Sequence, residues 1–231
     1  MSDARRASQF PLPFDHRPSL GGDDFLVSPC NAAAVAWIDR WPEWPGPALA
    51  LAGAGASGKT HLASVFAART GGRLIDMAQL TATPPAELAD ASMPLILDDA
   101  DKVAGDAAGE QALFHLLNYL VGQKGRLLLT GAVPPARWKV ALPDLASRLG
   151  ALPVAEIGPP DDGLMGALLV KLFADRQLQV GADVIAFMVA RMERSFAAAR
   201  ALVGAIDAHA LESRRAITVP LVRAVMDTGR D

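Results

Sequence analysis

The sequence predicts an α/β fold in which a parallel five-stranded sheet is followed by a small all-helical domain. Three observations carry this. Residues 53–60 read Gly53, Ala54, Gly55, Ala56, Ser57, Gly58, Lys59, Thr60, the full pattern G-x-x-x-x-G-K-[ST]. The apolar run at 48–52 precedes it and a helix-compatible stretch at 61–68 follows it, the strand, loop and helix that the pattern needs. The stretches 94–97 and 127–129 are continuously apolar rather than alternating, as central strands covered on both faces must be. From residue 161 onward the apolar spacing is helical only.

The 231 residues are 51% apolar and 20% charged, enough to bury a proper core. A formal net charge of -3 argues against a protein that wraps nucleic acid by electrostatics, so no direct sequence-specific DNA binding is expected. Cys30 is the only cysteine, which excludes an internal disulfide and a multi-cysteine zinc cluster and fits a reducing, cytoplasmic compartment. No apolar run reaches the length of a membrane span.

Residues 1–24 are rich in Pro, Gly and Asp and read as a flexible arm. Within it Gln9, Phe10, Pro11, Leu12, Pro13 and Phe14 concentrate apolar side chains that a solvated tail cannot bury. They suit a short peptide that plugs into a partner's groove, or a segment lying back over its own domain. The α/β domain is expected over 25–158. A first helix is expected near 31–39 with Asn31 as its cap, and Trp41 and Trp44 are expected to pack the following linker over the nucleotide pocket. The loop's glycines let backbone N–H groups face a polyphosphate, Lys59 reaches the β/γ oxygens, and Thr60 holds Mg²⁺. A second short strand is expected at 73–76 and a short surface helix within 80–91.

At the carboxyl end of the strand at 94–97 stand Asp98 and Asp99, where ligands bind in open α/β sheets. Asp98 is expected to hold the Mg²⁺ shell and Asp99 to orient a hydrolytic water. An amphipathic helix at 110–121 turns Leu113, Leu116, Leu117 and Leu120 inward, with Glu110, Gln111 and His115 assigned to a solvated or partner-facing side. Thr130 ends the next strand, where a hydroxyl senses the γ-phosphate or its attacking water, or merely closes a strand. Arg148 ends a short helix opened by Pro143, either as a helix C-terminal cation or as a guanidinium inserted toward a neighbour's γ-phosphate. A fifth strand is expected at 154–157. The helical domain over 161–231 carries Arg191, Arg194 and Arg200, which either reach the nucleotide or lie solvated on a helix.

In this order, P-loop, Asp-Asp, polar strand end, Ser147-Arg148-Leu149 and four-helix lid, the chain resembles the AAA+ P-loop NTPases of the bacterial replication-initiator clade, and more closely the Hda family. Further matches are residues 58–62, 129–135 and 217–220. The family opens with a clamp-binding peptide, Gln-hydrophobe-x-Leu-Pro-hydrophobe, matched by residues 9–14. The resemblance implies ADP or ATP with Mg²⁺ as ligands, with nucleotide contacts extending to His61. It implies the DNA polymerase III β sliding clamp and the DnaA initiator as partners, in the cytoplasm at the nucleoid or replisome. Arg148 then becomes the arginine finger offered to the initiator's ATP, in a protein whose own hydrolysis is weak or absent.

Two departures stand out. The family's lid arginine falls on Ala197, with Arg194 and Arg200 one helical turn to either side. The Asp98-Asp99 pair leaves slow self-hydrolysis open. With the last helical pattern near residue 226, no further helix-turn-helix domain is expected. A helicase-loader-like ATPase and a nucleotide-dependent clamp adaptor are the competing readings, and a homodimer that hides Arg148 or the peptide is a further expectation.

Overall fold

A computed structural model describes residues 25–90, 92–213 and 215–228. The peptide at 9–14 lies outside them. The chain divides at Pro159 and Pro160 into two compact units.

The first unit is built on five parallel strands: β1 (Ala48–Ala52), β2 (Arg73–Ile75), β3 (Leu95–Leu97), β4 (Leu127–Gly131) and β5 (Val154–Glu156), in the order β2-β3-β4-β1-β5. β1 pairs along its whole length with β4, from Ala48 opposite Leu127 to Ala52 opposite Gly131, and with β5 from Ala50 opposite Val154. All five residues of β1, all three of β3 and all five of β4 are buried, as the apolar runs at 48–52, 95–97 and 127–129 require. Because side chains alternate across a strand, the sheet feeds two cores. On one face Ala48, Ala50, Leu95, Leu97, Leu127 and Leu129 meet α5 (Ala107–Gln123) through Leu113, Leu116, Leu117 and Leu120, and α6 (Pro143–Gly150) through Leu145 and Leu149. On the other, Leu49, Leu51, Ile96 and Leu128 meet Ile38 of α1 (Ala32–Asp39) and Leu62 and Phe66 of α2 (Lys59–Thr70).

Several local expectations are corrected. Asn31 stands at the start of α1 but makes no side-chain cap; its Oδ1 accepts from the Ser28 N–H at 2.9 Å and its Nδ2 donates to the Leu26 carbonyl at 2.9 Å, tying down the entry segment. Trp41 and Trp44 do not cover the P-loop. They pack on Phe66, at centroid distances of 6.1 and 5.5 Å, about two turns along α2. The stretch after β2 holds two short helices, α3 (Met77–Ala82) and α4 (Pro85–Leu88), because Pro84 interrupts the first and opens the second. Asp76 and Gln79 close a reciprocal capping box at the start of α3.

The second unit is four helices: α7 (Asp162–Ala174), α8 (Ala182–Val189), α9 (Phe196–Ser213) and α10 (Val219–Thr228). α7 packs on α8 and α9, and α10 on both of those. Asp161 caps α7 by accepting the Leu164 N–H at 2.7 Å, and Ser195 Oγ accepts the Ala198 N–H at 3.0 Å at the head of α9. No helix among the described residues is long and apolar enough to cross a membrane.

Candidate nucleotide-binding site

The sheet order sets the C-terminal ends of β3, β4 and β1 side by side, which places Asp98, the end of β4 with Thr130, and the P-loop on one edge. After β1 the backbone curls through Ala56 (φ 57°) and Gly58 (φ 99°) into α2. Gly58 brings no side-chain cap, so the first N–H groups of α2 are left to an anion. Gly53 is required sterically: a Cβ there would stand 2.6 Å from the Ile157 carbonyl oxygen and 2.8 Å from Ser57 Oγ. Ser57 Oγ is buried without a hydrogen-bond partner among the described residues. Lys59 is 7% exposed, and its Nζ donates to the carbonyls of Gly53 at 2.7 Å and Ala54 at 2.9 Å, which fixes the ammonium beside the loop. His61, one residue into the helix beyond Thr60, stacks on Phe25 at 5.5 Å.

A hydrogen-bonded chain joins the start of α2 to the ends of β3 and β4. Thr60 Oγ1 donates to Asp98 Oδ2 at 2.9 Å. Thr130, fully buried, donates to the other carboxylate oxygen, Oδ1, at 2.5 Å and accepts the Asp99 N–H at 2.8 Å. One threonine thus orients Asp98 and holds Asp99, which sits in the left-handed region at φ 51°. The Asp99 carboxylate in turn accepts from Lys102 Nζ at 2.7 Å, and this hydrogen bond is the main reason the lysine's pKa is raised. Asp101 Oδ2 accepts the Ala132 N–H at 2.8 Å, fastening the turn after β3 to the end of β4.

These residues fit a nucleoside polyphosphate with Mg²⁺. The glycine cradle, the uncapped helix start, the buried ammonium and the orphaned Ser57 hydroxyl suit phosphate, while the Thr60 hydroxyl and Asp98 carboxylate form a hard-oxygen pair. Thr60 and Asp98 would hold the ion, which would also bind phosphate and water.

Arg148 is separate from this cluster. It is exposed on α6 with its guanidinium carbon 5.3 Å from the centroid of the Phe114 ring. Glu110, assigned above to a solvated face, is instead 2% exposed. Its carboxylate accepts the N–H groups of Gly105 (2.9 Å), Ala141 (3.0 and 2.8 Å) and Leu142 (2.8 Å). The Ala141 bond, then that of Gly105, holds its carboxyl below the usual carboxylate range despite burial. Sequence spacing carried the signal: 110, 113, 117 and 120 lie on one helical stripe.

In the helical unit Arg194 pairs with Asp162 at 2.7 Å, Arg191 lies 4.2 Å from the Phe187 centroid, and Arg200 is exposed on α9.

Residues 164–226 match the family described as "Hda, lid domain". Domain III of the replication initiation protein DnaA from Thermotoga maritima superposes with a TM-score of 0.73 at 16% identity, over 94% of this chain and 98% of that one. AMPPCP-bound DnaA from Aquifex aeolicus gives 0.66 at 18% identity, over 81% of this chain and 65% of that one. The RuvB Holliday junction branch migration motor of Thermotoga maritima gives 0.63 at 16%, over 86% and 66%. At such identities the likeness is one of fold. Residues 164–226 therefore match the Hda lid domain, behind a P-loop core, in a chain with the fold of DnaA domain III.

Proposed function

We propose that this protein is a clamp-tethered negative regulator of replication initiation, which binds ADP or ATP with Mg²⁺ and presents Arg148 to ATP held by the DnaA initiator. The observation that carries this reading is the Hda lid match on a core that keeps the whole phosphate cradle and leaves Arg148 exposed on its own helix. An arginine finger supplied in trans stabilises charge on a transferring phosphoryl group and is worth about 10³–10⁵ in rate where such fingers act. Arg148 needs no partner within the chain for that role, and the Phe114 ring restricts its swing without neutralising it.

In this reading residues 25–158 hold the nucleotide, residues 161–231 form the lid, and the arm of 1–24 docks on the β sliding clamp through Gln9, Phe10, Leu12, Pro13 and Phe14. The P-loop residues with His61 contact the nucleotide, Arg194 or Arg200 completes it from the lid, and Thr60 with Asp98 holds the metal. Self-hydrolysis is weak. Asp99, the group to orient a water, is engaged by Lys102, and Thr130 spends its hydroxyl proton on Asp98.

The test measures hydrolysis of DnaA-bound ATP, with and without clamp on DNA, using the intact protein, Arg148→Ala, and a variant lacking residues 9–14. Loss in both variants is the expected outcome. Unchanged hydrolysis in every mixture eliminates the proposal.

A further inference from the structure

We propose that Glu110 is the positioning residue for Arg148: its buried carboxylate fixes the start of α6, and thereby the guanidinium at the other end of that helix. The inference rests on the reading of Arg148 given above. α6 has no side-chain cap of its own, and Pro143 at its first turn brings no N–H. The donors just before it, Ala141 and Leu142, converge on Glu110 from a different helix, and all four of the carboxylate's bonds are 3.0 Å or shorter. An acceptor-only group is what three converging N–H groups require.

The helix itself is short, and only Leu145 and Leu149 anchor it in the core. Six residues separate Leu142 from Arg148, about 9 Å along the axis. A tilt of roughly 10° at Leu142 therefore carries Arg148 by about 1.5 Å, and misplacements near 1 Å can cost about 10²-fold in rate. Phe114, one turn beyond Glu110 on α5, lies under the guanidinium. One helix therefore holds α6 at its start and near its end.

The fourth bond adds a link to the nucleotide site. Gly105 closes the segment that begins at Asp98, so the same carboxylate ties the metal-binding turn to the base of α6.

The decisive variant is Glu110→Gln, which keeps the shape but sets an amide N–H₂ against backbone donors. It is compared with the intact protein and Arg148→Ala in clamp-dependent hydrolysis of DnaA-bound ATP. Two further readouts are affinity for its own fluorescent ADP and amide exchange at Ala141 and Leu142. We expect ADP affinity within about twofold, faster exchange at both amides, and a maximal stimulation reduced about tenfold or more with the half-saturating concentration little changed, the pattern of an interaction lost in the transition state. If Arg148→Ala is inactive while Glu110→Gln stimulates fully, this inference fails and the reading of Arg148 stands. If Arg148→Ala stimulates fully, both fail. An ADP affinity that falls in step with stimulation also overturns it, since Glu110 would then merely hold the fold. Should Glu110→Gln not fold, Glu110→Asp decides the matter: it keeps an acceptor-only carboxylate but withdraws it from the Ala141 and Leu142 N–H groups, and must lower stimulation several-fold.

Discussion

Thr130→Val tests the hydrogen-bonded joint beneath the candidate metal site. Valine matches threonine in shape, so the packing of β4 is kept and only the hydroxyl is lost. Two consequences follow from the geometry. Asp98 loses a donor at 2.5 Å, and a hydrogen bond to a charged group contributes about 1.5–3 kcal/mol. The Asp99 N–H loses its acceptor at 2.8 Å, and a buried donor left unsatisfied costs about 1–3 kcal/mol. Asp98 and Asp99 are both half-buried, so water relieves part of each loss, and values at the lower ends give about 2.5 kcal/mol together. For a chain of this size each kcal/mol shifts the midpoint by about 2–4 °C, so melting should fall by roughly 5–10 °C. Calorimetry without nucleotide reads this directly, with Thr130→Ser as the control that keeps the hydroxyl. A Thr130→Val protein that melts within about 2 °C of the parent, or a Thr130→Ser protein as unstable as the valine variant, refutes the reasoning.

Lys59→Ala should abolish nucleotide-linked stabilisation: a ligand at a hundredfold its Kd stabilises by about 2.7 kcal/mol, and the thermal shift it produces in the parent should vanish in the variant. Gly53→Ala should destabilise the core and weaken ADP binding, since its Cβ meets backbone at 2.6 Å, whereas Gly55→Ala, with nothing within 4 Å, should fold normally; calorimetry and ADP titration compare them. Glu110 is held below the usual carboxylate range, so the unfolded chain takes up its proton first as pH falls. Its contribution to stability is complete above the ordinary glutamate value of about 4.3 and is lost as pH falls through the lowered native value. Denaturant titrations between about pH 6 and 3 should show a shallower acid-side loss for Glu110→Gln than for the parent.

The fold was legible wherever one chemical requirement dominated. Continuous apolar runs have no stable place but the middle of a covered sheet, and β1, β3 and β4 lie there. The P-loop pattern was legible because the curl through Gly58 needs a positive φ and the approach at Gly53 excludes a Cβ. Sequence reasoning went astray where tertiary partners decide between options that are locally equal. Asn31 has the chemistry of a cap, yet two backbone groups of the preceding segment claim it. Trp41 and Trp44 needed an apolar surface, and nothing local distinguishes the P-loop from Phe66 seven residues into α2. Glu110 shows the third kind of miss. A glutamate is read as solvated by type, although its place on the stripe with Leu113, Leu117 and Leu120 pointed inward.

That misreading bears on how the site and Arg148 belong together. A buried carboxylate is tolerated only if its desolvation is offset, and here backbone donors from two separate loops do so. Gly105 belongs to the loop that leaves Asp98 and Asp99; Ala141 and Leu142 belong to the loop that enters α6. Thr130 plays the matching part on the other side, tying both Asp98 and Asp99 to β4, while Asp101 fastens the same turn to Ala132. The turn after β3 is therefore held at both ends by side chains rather than by sheet hydrogen bonds. Residues 99–105 and Glu110 thus form a short covalent and hydrogen-bonded connection from Asp98 to the base of the helix that carries Arg148. α6 otherwise meets the core through two buried leucines, Leu145 and Leu149, neither of which contributes a side-chain hydrogen bond to that turn.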